Sequence, residues 1–180
     1  VLFAYPWGEA DGPLADEVGP DVWQSDFLVD LGQAVRDRVR APDLGAYLAA
    51  VASGHGVGKT ALVSWVIDWF MSTRPNAVIV CTANTAGQLE QTTWRELSKW
   101  HQLSINADWF AWTATTFYFK AQPATWKAVA VPWSKERSEG FAGKHEKHVL
   151  MLFDEASAID DVIWEVSEGA LTTAGAIWLA

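Results

Sequence analysis

Residues 53–60 read Ser-Gly-His-Gly-Val-Gly-Lys-Thr, and they follow a mainly apolar stretch, residues 47–52, that predicts a buried strand. A strand that ends in a glycine-rich loop and continues as a helix points several backbone N–H groups, and the positive end of the helix, at one place. Gly54, Gly56 and Gly58 allow positive φ angles and let the backbone approach a ligand closely. The stretch therefore predicts a strand-loop-helix unit that holds the phosphates of a nucleotide.

Two side chains at the end of the loop match the chemistry of a nucleotide bound with Mg²⁺. Lys59 is predicted to neutralise phosphate charge, and the Thr60 hydroxyl is predicted to bind the metal ion. The predicted nucleotide-binding residues of the loop are Ser53, Gly54, His55, Gly56, Val57, Gly58, Lys59 and Thr60, with Ser53 at a place where the usual pattern has glycine. The alternative is a glycine-rich turn that caps the helix and binds nothing. Gly-Lys-Thr between a strand and an apolar-striped helix favours the phosphate site.

The rest of the chain alternates between helical spacing and short apolar runs. Asp21 is predicted to cap a first helix, and further helices are predicted over residues 59–72, 86–100 and 162–168. Strands are predicted at residues 77–82, 109–119, 127–131, 149–153 and 176–180. A continuous apolar run such as residues 77–82 is typical of a strand covered on both faces of a parallel sheet. The order predicts an α/β fold, an open and mostly parallel sheet with helices on both faces, whose ligands bind at the carboxyl ends of the strands.

An acidic pair directly follows the apolar run of residues 149–153. A carboxylate at the tip of a buried strand, beside a phosphate loop, stands where Mg²⁺ needs an oxygen ligand, which predicts that role for Asp154. Glu155 is placed to polarise a water molecule for attack on the γ-phosphate. The alternative, that Asp154 only caps the following turn, is disfavoured by the phosphate loop upstream in the same sheet. The motifs together predict a P-loop NTPase fold of the type that uses a catalytic glutamate, with ATP and Mg²⁺ as its ligands.

The composition sets limits on the class of protein. The chain has 180 residues, of which 50% are hydrophobic and 19% are charged, as in an ordinary globular domain. The formal net charge of -9 argues against a chain whose whole surface grips DNA, but it allows a motor that contacts DNA through one basic patch. No apolar run approaches the length of about 18 residues that spans a bilayer. Since Cys81 is the only cysteine, a soluble intracellular protein without disulfides is predicted.

Other parts of the sequence carry no predicted site. Residues 1–20, rich in glycine, proline and acids, predict an irregular arm ahead of a domain over residues 21–180. The 12 tryptophans are scattered without a period, which favours packing over a stacking surface. His145 and His148 lie close in sequence without a third metal ligand nearby, so a charged loop is favoured over a zinc site.

The ordered motifs resemble those of the large terminase subunits of tailed bacteriophages and prophages, ATP-driven motors that pump DNA into capsids. The resemblance spans nearly all of the chain. Helicases share phosphate loops and Asp-Glu strand ends, so the ordered set of motifs is more specific than any single one. The motifs that carry it are Trp23-Gln24, the loop of residues 53–60, Thr82-Ala83-Asn84 followed by Gln88-Leu89, and Phe153-Asp154-Glu155-Ala156-Ser157. The family usually adds a C-terminal nuclease domain with clustered acids. Residues 1–180 supply no such cluster, so the resemblance implies the ATPase domain without its nuclease domain.

The resemblance implies roles for single residues. Gln24 matches the glutamine that reads the adenine edge, with a solvent-facing glutamine as the alternative. His55 stands where many relatives have an arginine, so an arginine that stabilises the transition state has to come from elsewhere. Arg137 is the first candidate and Lys144 the second, with a solvated loop charge as the alternative for either. Residues 172–174 lie near the place of a segment that couples hydrolysis to movement.

The resemblance also implies a function and partners. Lys59, Glu155 and Arg137 would act in catalysis, and ATP hydrolysis would drive double-stranded DNA into a capsid. The implied partners are DNA, a small terminase subunit, the capsid portal and further copies of the chain in a ring, in the cytoplasm of the bacterial host and without a membrane. DNA contact is expected mainly at backbone phosphates. The candidates for the basic patch that this contact needs are Arg36, Arg38, Arg40, Lys144 and Lys147.

Two other functions stay open. A helicase-like DNA translocase would share both nucleotide motifs, but its second lobe and its own arginine motifs are absent from residues 1–180. A nucleotide-gated assembly module would bind ATP without turnover. The intact Lys59, Thr60, Asp154 and Glu155 favour an active site over such a module.

Overall fold

Seven strands form one sheet in the part of the chain that the structure describes. The computed structural model describes residues 1–54, 56–83, 85–132, 146–169 and 175–180. The strands are β1 (Tyr47–Ala49), β2 (Val78–Thr82), β3 (Phe110–Trp112), β4 (Thr116–Phe119), β5 (Lys127–Ala130), β6 (Val149–Phe153) and β7 (Ile177–Leu179). Their order is β1-β7-β6-β2-β5-β4-β3, in which the pairs from β1 to β5 are parallel and the last two are antiparallel. The predicted open and mostly parallel sheet is confirmed.

The middle of the sheet is built from the two long apolar runs of the sequence. β2 and β6 pair in parallel along their whole length, and every residue of both strands is buried. Each of the two strands has a neighbour on both sides, so no edge of either is open to water. Their side chains alternate between two hydrophobic cores, with Ile79 and Leu150 in one and Val80 and Met151 in the other.

Helices cover both faces of the sheet, as predicted. The helices are α1 (Val22–Arg40), α2 (Lys59–Thr73), α3 (Ala86–Gln88), α4 (Arg95–Gln102) and α5 (Asp161–Glu168). Short 3₁₀ turns lie at Pro42–Leu44, Ala107–Trp109 and Ala156–Ala158. α1, α2 and α4 contribute to the core that contains Ile79, and α5 contributes to the core that contains Val80. None of the helices in the described ranges is long and apolar enough to cross a membrane.

The helix predicted over residues 86–100 has three parts. α3 ends at Gln88, the six residues Leu89–Trp94 are wound as a π-helix, and α4 begins at Arg95. A π-helical turn is wider than an α-helical one, so it shifts the side chains that follow it around the helix axis. Such turns are rare and are frequent at functional sites, which makes the side chains of this turn of special interest.

Two predicted strands differ from the structure. The prediction of a buried strand over residues 47–52 is wrong, because β1 has three residues, Leu48 is 58% exposed, and β1 lies at the edge of the described sheet. An apolar run does not distinguish a central strand from an edge strand, since that depends on which strand pairs beside it. Residues 109–119 form a hairpin of β3 and β4 instead of one strand, because the chain turns after Thr113, whose N–H donates to the carbonyl of Thr116 (2.8 Å).

The N-terminal arm packs against the helical side of the sheet. Residues 1–20 contain no helix or strand, as predicted. Tyr5 and Leu14 are nevertheless buried in the core that contains Ile79. The rings of Tyr5, Trp7, Trp65 and Trp100 contact one another, mostly edge to face. The arm is therefore part of the packed structure, and these tryptophans serve packing, as predicted.

Candidate nucleotide site

The phosphate loop and the acidic pair line one cavity of about 730 Å³ at the carboxyl end of the sheet. β1 leads into the loop, β6 leads into Asp154 and Glu155, and β7 lies between these two strands. Because the carboxyl ends of parallel strands meet at the same edge, two motifs that are distant in sequence become two walls of one site. The predicted residues that line the cavity are Ser53, Gly56, Val57, Gly58, Lys59, Thr60, Asp154 and Glu155.

The loop has the backbone that anion binding requires. Gly56 and Gly58 have φ angles of 76° and 83°, and Gly58 is the residue before α2 begins at Lys59. Glycine takes such angles without the strain that a Cβ atom brings. The Lys59 ammonium group donates hydrogen bonds to the carbonyl oxygens of Ser53 (2.8 Å) and Gly54 (3.0 Å). The lysine is thus held within the loop, where a phosphate can replace the two carbonyls as its partner.

Asp154 is fixed by both its backbone and its side chain. Its N–H donates to the carbonyl of Thr82 (2.9 Å), so pairing with β2 continues one residue beyond β6. The hydroxyl of Thr93, on the π-helical turn, donates to Asp154 Oδ2 (2.6 Å). Thr93 is fully buried. The orientation of the carboxylate that lines the cavity is therefore set by a buried donor.

Glu155 is exposed and is held by Gln88. The side-chain amide of Gln88 donates to Glu155 Oε2 (3.0 Å). The backbone of Glu155 lies in the left-handed region, with φ 51° and ψ 47°, which residues that carry a Cβ atom rarely adopt. Strained backbone of this kind clusters at functional sites, where the surrounding structure holds it.

Two residues without a predicted role, Gln88 and Thr93, therefore hold the acidic pair. Gln88 has a signal in the sequence, because Thr85 and Gln88 have the spacing of a capping box. The Thr85 hydroxyl accepts from the Gln88 backbone N–H (3.1 Å), and the Thr85 N–H donates to Gln88 Oε1 (3.1 Å). Since the cap occupies Oε1, the amide presents its nitrogen to Glu155. Thr93 has no local signal, because its position depends on the π-helical turn.

Gln24 is buried against the phosphate loop. It is 4% exposed, which excludes the alternative of a solvent-facing glutamine. Its Oε1 accepts from the N–H of Asp21 (2.8 Å), and its Nε2 donates to the carbonyl of Gly58 (3.0 Å). One further hydrogen and one further lone pair of the amide remain for a ligand. The contact of Gln24 with Gly58 connects α1 to the loop. A hydrogen bond between Gln24 and the edge of an adenine stays a prediction.

Thr60 and Asp154, the residues predicted to bind Mg²⁺, carry oxygen atoms of the kind that this ion takes as ligands. Both line the cavity. Mg²⁺ is usually held by one or two protein oxygens together with water and substrate phosphates, so a hydroxyl and a carboxylate on facing walls fit it. In the ranges that the structure describes, no three His, Cys, Asp or Glu side chains are grouped for a metal ion. His145 lies outside those ranges, so the preference for a charged loop over a zinc site stays a prediction.

The Cys81 thiol lies on β2 close to the acidic pair. Burial, and to a lesser degree the charge of Asp154, raise the pKa of the Cys81 thiol. The side chain is fully buried. It therefore stays protonated and acts as a small apolar group of the core.

Some predictions fall on residues that the structure does not describe. These residues are His55, Asn84, Arg137, Lys144, His145 and residues 172–174. Among the described members of the predicted basic patch, Arg38 is engaged elsewhere. Its guanidinium group donates to the carbonyls of Gly45 (2.9 Å) and Ala46 (3.2 Å), which joins α1 to the start of β1. Arg38 thus has a structural partner at the start of β1, and its contact with DNA stays a prediction.

Comparison with known proteins confirms the resemblance drawn from the motifs. No protein-family model matches the chain. A probable terminase large subunit of Enterobacteria phage P7 is 28% identical over 177 residues, which are 96% of this chain and 33% of that protein. The structure of the large terminase of a thermophilic bacteriophage, solved in complex with ADP, superposes on this chain with a TM-score of 0.54 and 16% sequence identity. The superposition covers 82% of this chain and 36% of the terminase chain. A second crystal form of that terminase superposes with a TM-score of 0.50 and 17% sequence identity, over 78% of this chain and 34% of the terminase chain.

These comparisons establish the fold, that of the ATPase domains of large terminases. The chain spans about a third of the length of the curated relative.

Proposed function

We propose that this chain is the ATP-hydrolysing motor domain of a phage terminase large subunit, which drives double-stranded DNA into a capsid. The observation that carries the proposal is the cavity lined both by the phosphate loop and by Asp154 and Glu155. The name of the relative from phage P7 and the ADP complex of the terminase from the thermophilic phage support it.

The residues of the cavity have distinct tasks in this reaction. The backbone of the loop and the ammonium group of Lys59 bind the β- and γ-phosphates, with the phosphates replacing the carbonyls of Ser53 and Gly54. Thr60 and Asp154 would hold Mg²⁺, which supplies positive charge to the phosphates. Glu155 accepts a proton from the water that attacks the γ-phosphorus, and ADP leaves with inorganic phosphate as the second product.

The remaining parts of the proposal come from the resemblance. Gln24 contacts the adenine, and Arg137 supplies positive charge to the transition state, from its own or from a neighbouring subunit. The active assembly is a ring of copies that meets the small terminase subunit and the capsid portal in the host cytoplasm.

The first test compares Glu155→Gln with wild type. We expect ATP to bind both proteins equally, because Glu155 contacts no phosphate in this proposal, and turnover to fall about 100- to 10,000-fold because the general base is lost. ATP binding and phosphate release are measured without DNA, with linear duplex DNA and with single-stranded DNA. Glu165→Gln, an exposed glutamate of α5, is the matched control and keeps wild-type turnover.

The outcomes separate the candidate functions. Turnover that depends on Glu155 and rises with duplex DNA supports the packaging motor. A rise with single-stranded DNA alone favours the helicase-like translocase. Equal turnover in Glu155→Gln and wild type would refute the role of Glu155, and ATP binding without turnover in either protein would favour a nucleotide-gated assembly module.

A further inference from the structure

A second and shallower cavity lies between α4 and the β3–β4 hairpin. Its volume is about 280 Å³. Trp94, Arg95 and Ser98 line it from the helix, Trp112 and Thr113 line it from the hairpin, and Glu90 also lines it. We call this cavity the hairpin groove. None of its residues lines the cavity of the phosphate loop.

The hairpin groove contains hydrogen-bond donors that lack partners. Among the described residues, no ion pair or hydrogen bond engages the side chain of Arg95, which is exposed on the first turn of α4. Trp94 is 6% exposed, and within the same part of the chain its indole N–H has no acceptor. Buried donors usually have an acceptor, because an unpaired one costs free energy. A ligand for this groove should therefore bring acceptors and negative charge.

The position of the basic residues points to the same class of ligand. Every Lys and Arg of the sequence lies between Arg36 and Lys147, while residues 148–180 include acids and no Lys or Arg. On α4, Arg95 and Lys99 are one helical turn apart and therefore lie on one face. Lys99 also contacts Glu96 (3.2 Å), and its side chain remains 59% exposed. An acidic chain binds a polyanion only through such a local basic surface.

The groove is joined to the acidic pair of the nucleotide site by the π-helical turn. Gln88, just before the turn, donates to Glu155, and Thr93, within it, donates to Asp154. Trp94 is the last residue of the turn and Arg95 is the next. A ligand on Arg95 thus acts on the same short helical segment that holds both carboxylates.

We propose that the hairpin groove binds the phosphate backbone of duplex DNA, with Arg95 on a phosphate and Lys99 beside it. The proposal rests on the proposed motor function and names the DNA-contacting surface of that motor. Contact with phosphates positions the duplex without reading its sequence, as a packaging motor requires. Glu90, a carboxylate that lines the same groove, opposes this binding.

The test measures binding of a fluorescent duplex by anisotropy, at several salt concentrations, for wild type, Arg95→Gln, Glu90→Gln and Arg40→Gln. We expect Arg95→Gln to weaken binding roughly three- to tenfold and to reduce the log–log salt slope by about one, because one phosphate contact is lost. Glu90→Gln strengthens binding, because a repulsive charge is removed. Arg40→Gln is the same change on α1, which Arg38 joins to the start of the opposite edge strand β1, and it tests the rival candidate for DNA contact; we expect it to leave binding unchanged.

ATP hydrolysis by the same proteins separates this inference from the motor function. Arg95→Gln keeps the basal turnover and loses most of the stimulation by duplex DNA. If wild type binds duplex DNA and Arg95→Gln binds it equally well, or if Arg40→Gln weakens binding as much, the groove is not the DNA surface and the motor function stands. If wild type hydrolyses ATP but binds no duplex DNA, or binds single strands alone, both proposals fail.

Discussion

At the scale of single residues, the proposed catalysis depends on how Glu155 is oriented. Its backbone is in the left-handed region, and its carboxylate is exposed, so little packing restrains the side chain. The Gln88 amide is the donor that the structure shows on this carboxylate, and the cap at Thr85 fixes that amide in turn. Gln88 is therefore a positioning residue that acts through Glu155.

Gln88→Ala should lower kcat about tenfold and leave the affinity for ATP unchanged, because misplacement of a catalytic group affects the chemical step more than binding. The measurement is the split between kcat and KM, together with a melting temperature to detect loss of structure. Gln91→Ala, in the exposed part of the same π-helical turn, is the control. A fall in kcat that is equal in both variants would show that the turn, and not the Gln88 amide, is responsible.

At the scale of secondary structure elements, α1, the phosphate loop and α2 meet at Gly58. Its φ angle is 83°, and a Cβ atom built there would lie 2.6 Å from Gln24 Nε2. Gln24 has no room to move without breaking its bond to Asp21 or to Gly58 itself. The start of α2 therefore depends on a glycine for two independent reasons, backbone strain and contact with α1.

Gly58→Ala should weaken ATP binding about tenfold or more. It should also destabilise the fold by about 1–2 kcal/mol, the usual cost of a left-handed residue with a Cβ atom. The cost of displacing Gln24 adds to that loss of stability. Gly8→Ala separates the two causes, because Gly8 has a φ angle of 66° and the nearest atom to an added Cβ lies 3.8 Å away, at an ordinary van der Waals distance. ATP titration and urea unfolding of both variants measure the difference. An equal loss of stability in the two, with unchanged ATP affinity, would mean that the Gln24 contact has no effect.

The elements that the sequence predicts well are those with a strong local signal. β2 and β6 are uninterrupted apolar runs, α2 follows the loop, and Asp154 stands at the end of a buried strand, so these parts of the fold and the site are predictable. The edge position of β1 and the hairpin turn depend on pairing between distant segments. The π-helical turn has no local signature, so the contact of Thr93 with Asp154 is visible only in three dimensions.

At the scale of the whole molecule, one buried polar network joins the N-terminal arm to two helices. The Tyr5 hydroxyl donates to Asp68 Oδ2 (2.9 Å), and His101 Nδ1 lies 2.7 Å from Asp68 Oδ1. Burial, followed by the charge and hydrogen bond of Asp68, raises the pKa of Tyr5, so its hydroxyl stays a donor. His101 Nε2 faces the carbonyl of Ala107 (3.2 Å). The arm thus completes the hydrogen bonding of a carboxylate that would otherwise be buried with fewer partners.

Tyr5→Phe should reduce the free energy of unfolding by about 1–3 kcal/mol, because it removes a donor to a buried charged group and leaves the ring in place. Urea unfolding followed by fluorescence measures the change. Tyr118→Phe, a half-buried tyrosine of β4, is the control with the same chemical change. If both substitutions cost the same, the network contributes nothing specific and the arm is held by its apolar contacts alone.

The edge position of β1 also has a mechanical consequence for the nucleotide site. β2 and β6 have neighbours on both sides and no exposed residue, whereas β1 is short and, in the described sheet, pairs only with β7. Segments with few buried contacts open at the lowest free energy. The acidic pair therefore belongs to the stiff side of the site and the phosphate loop to the compliant side. We expect a change of shape between nucleotide states to be taken up by β1 and the loop, with β2 and β6 as the fixed reference.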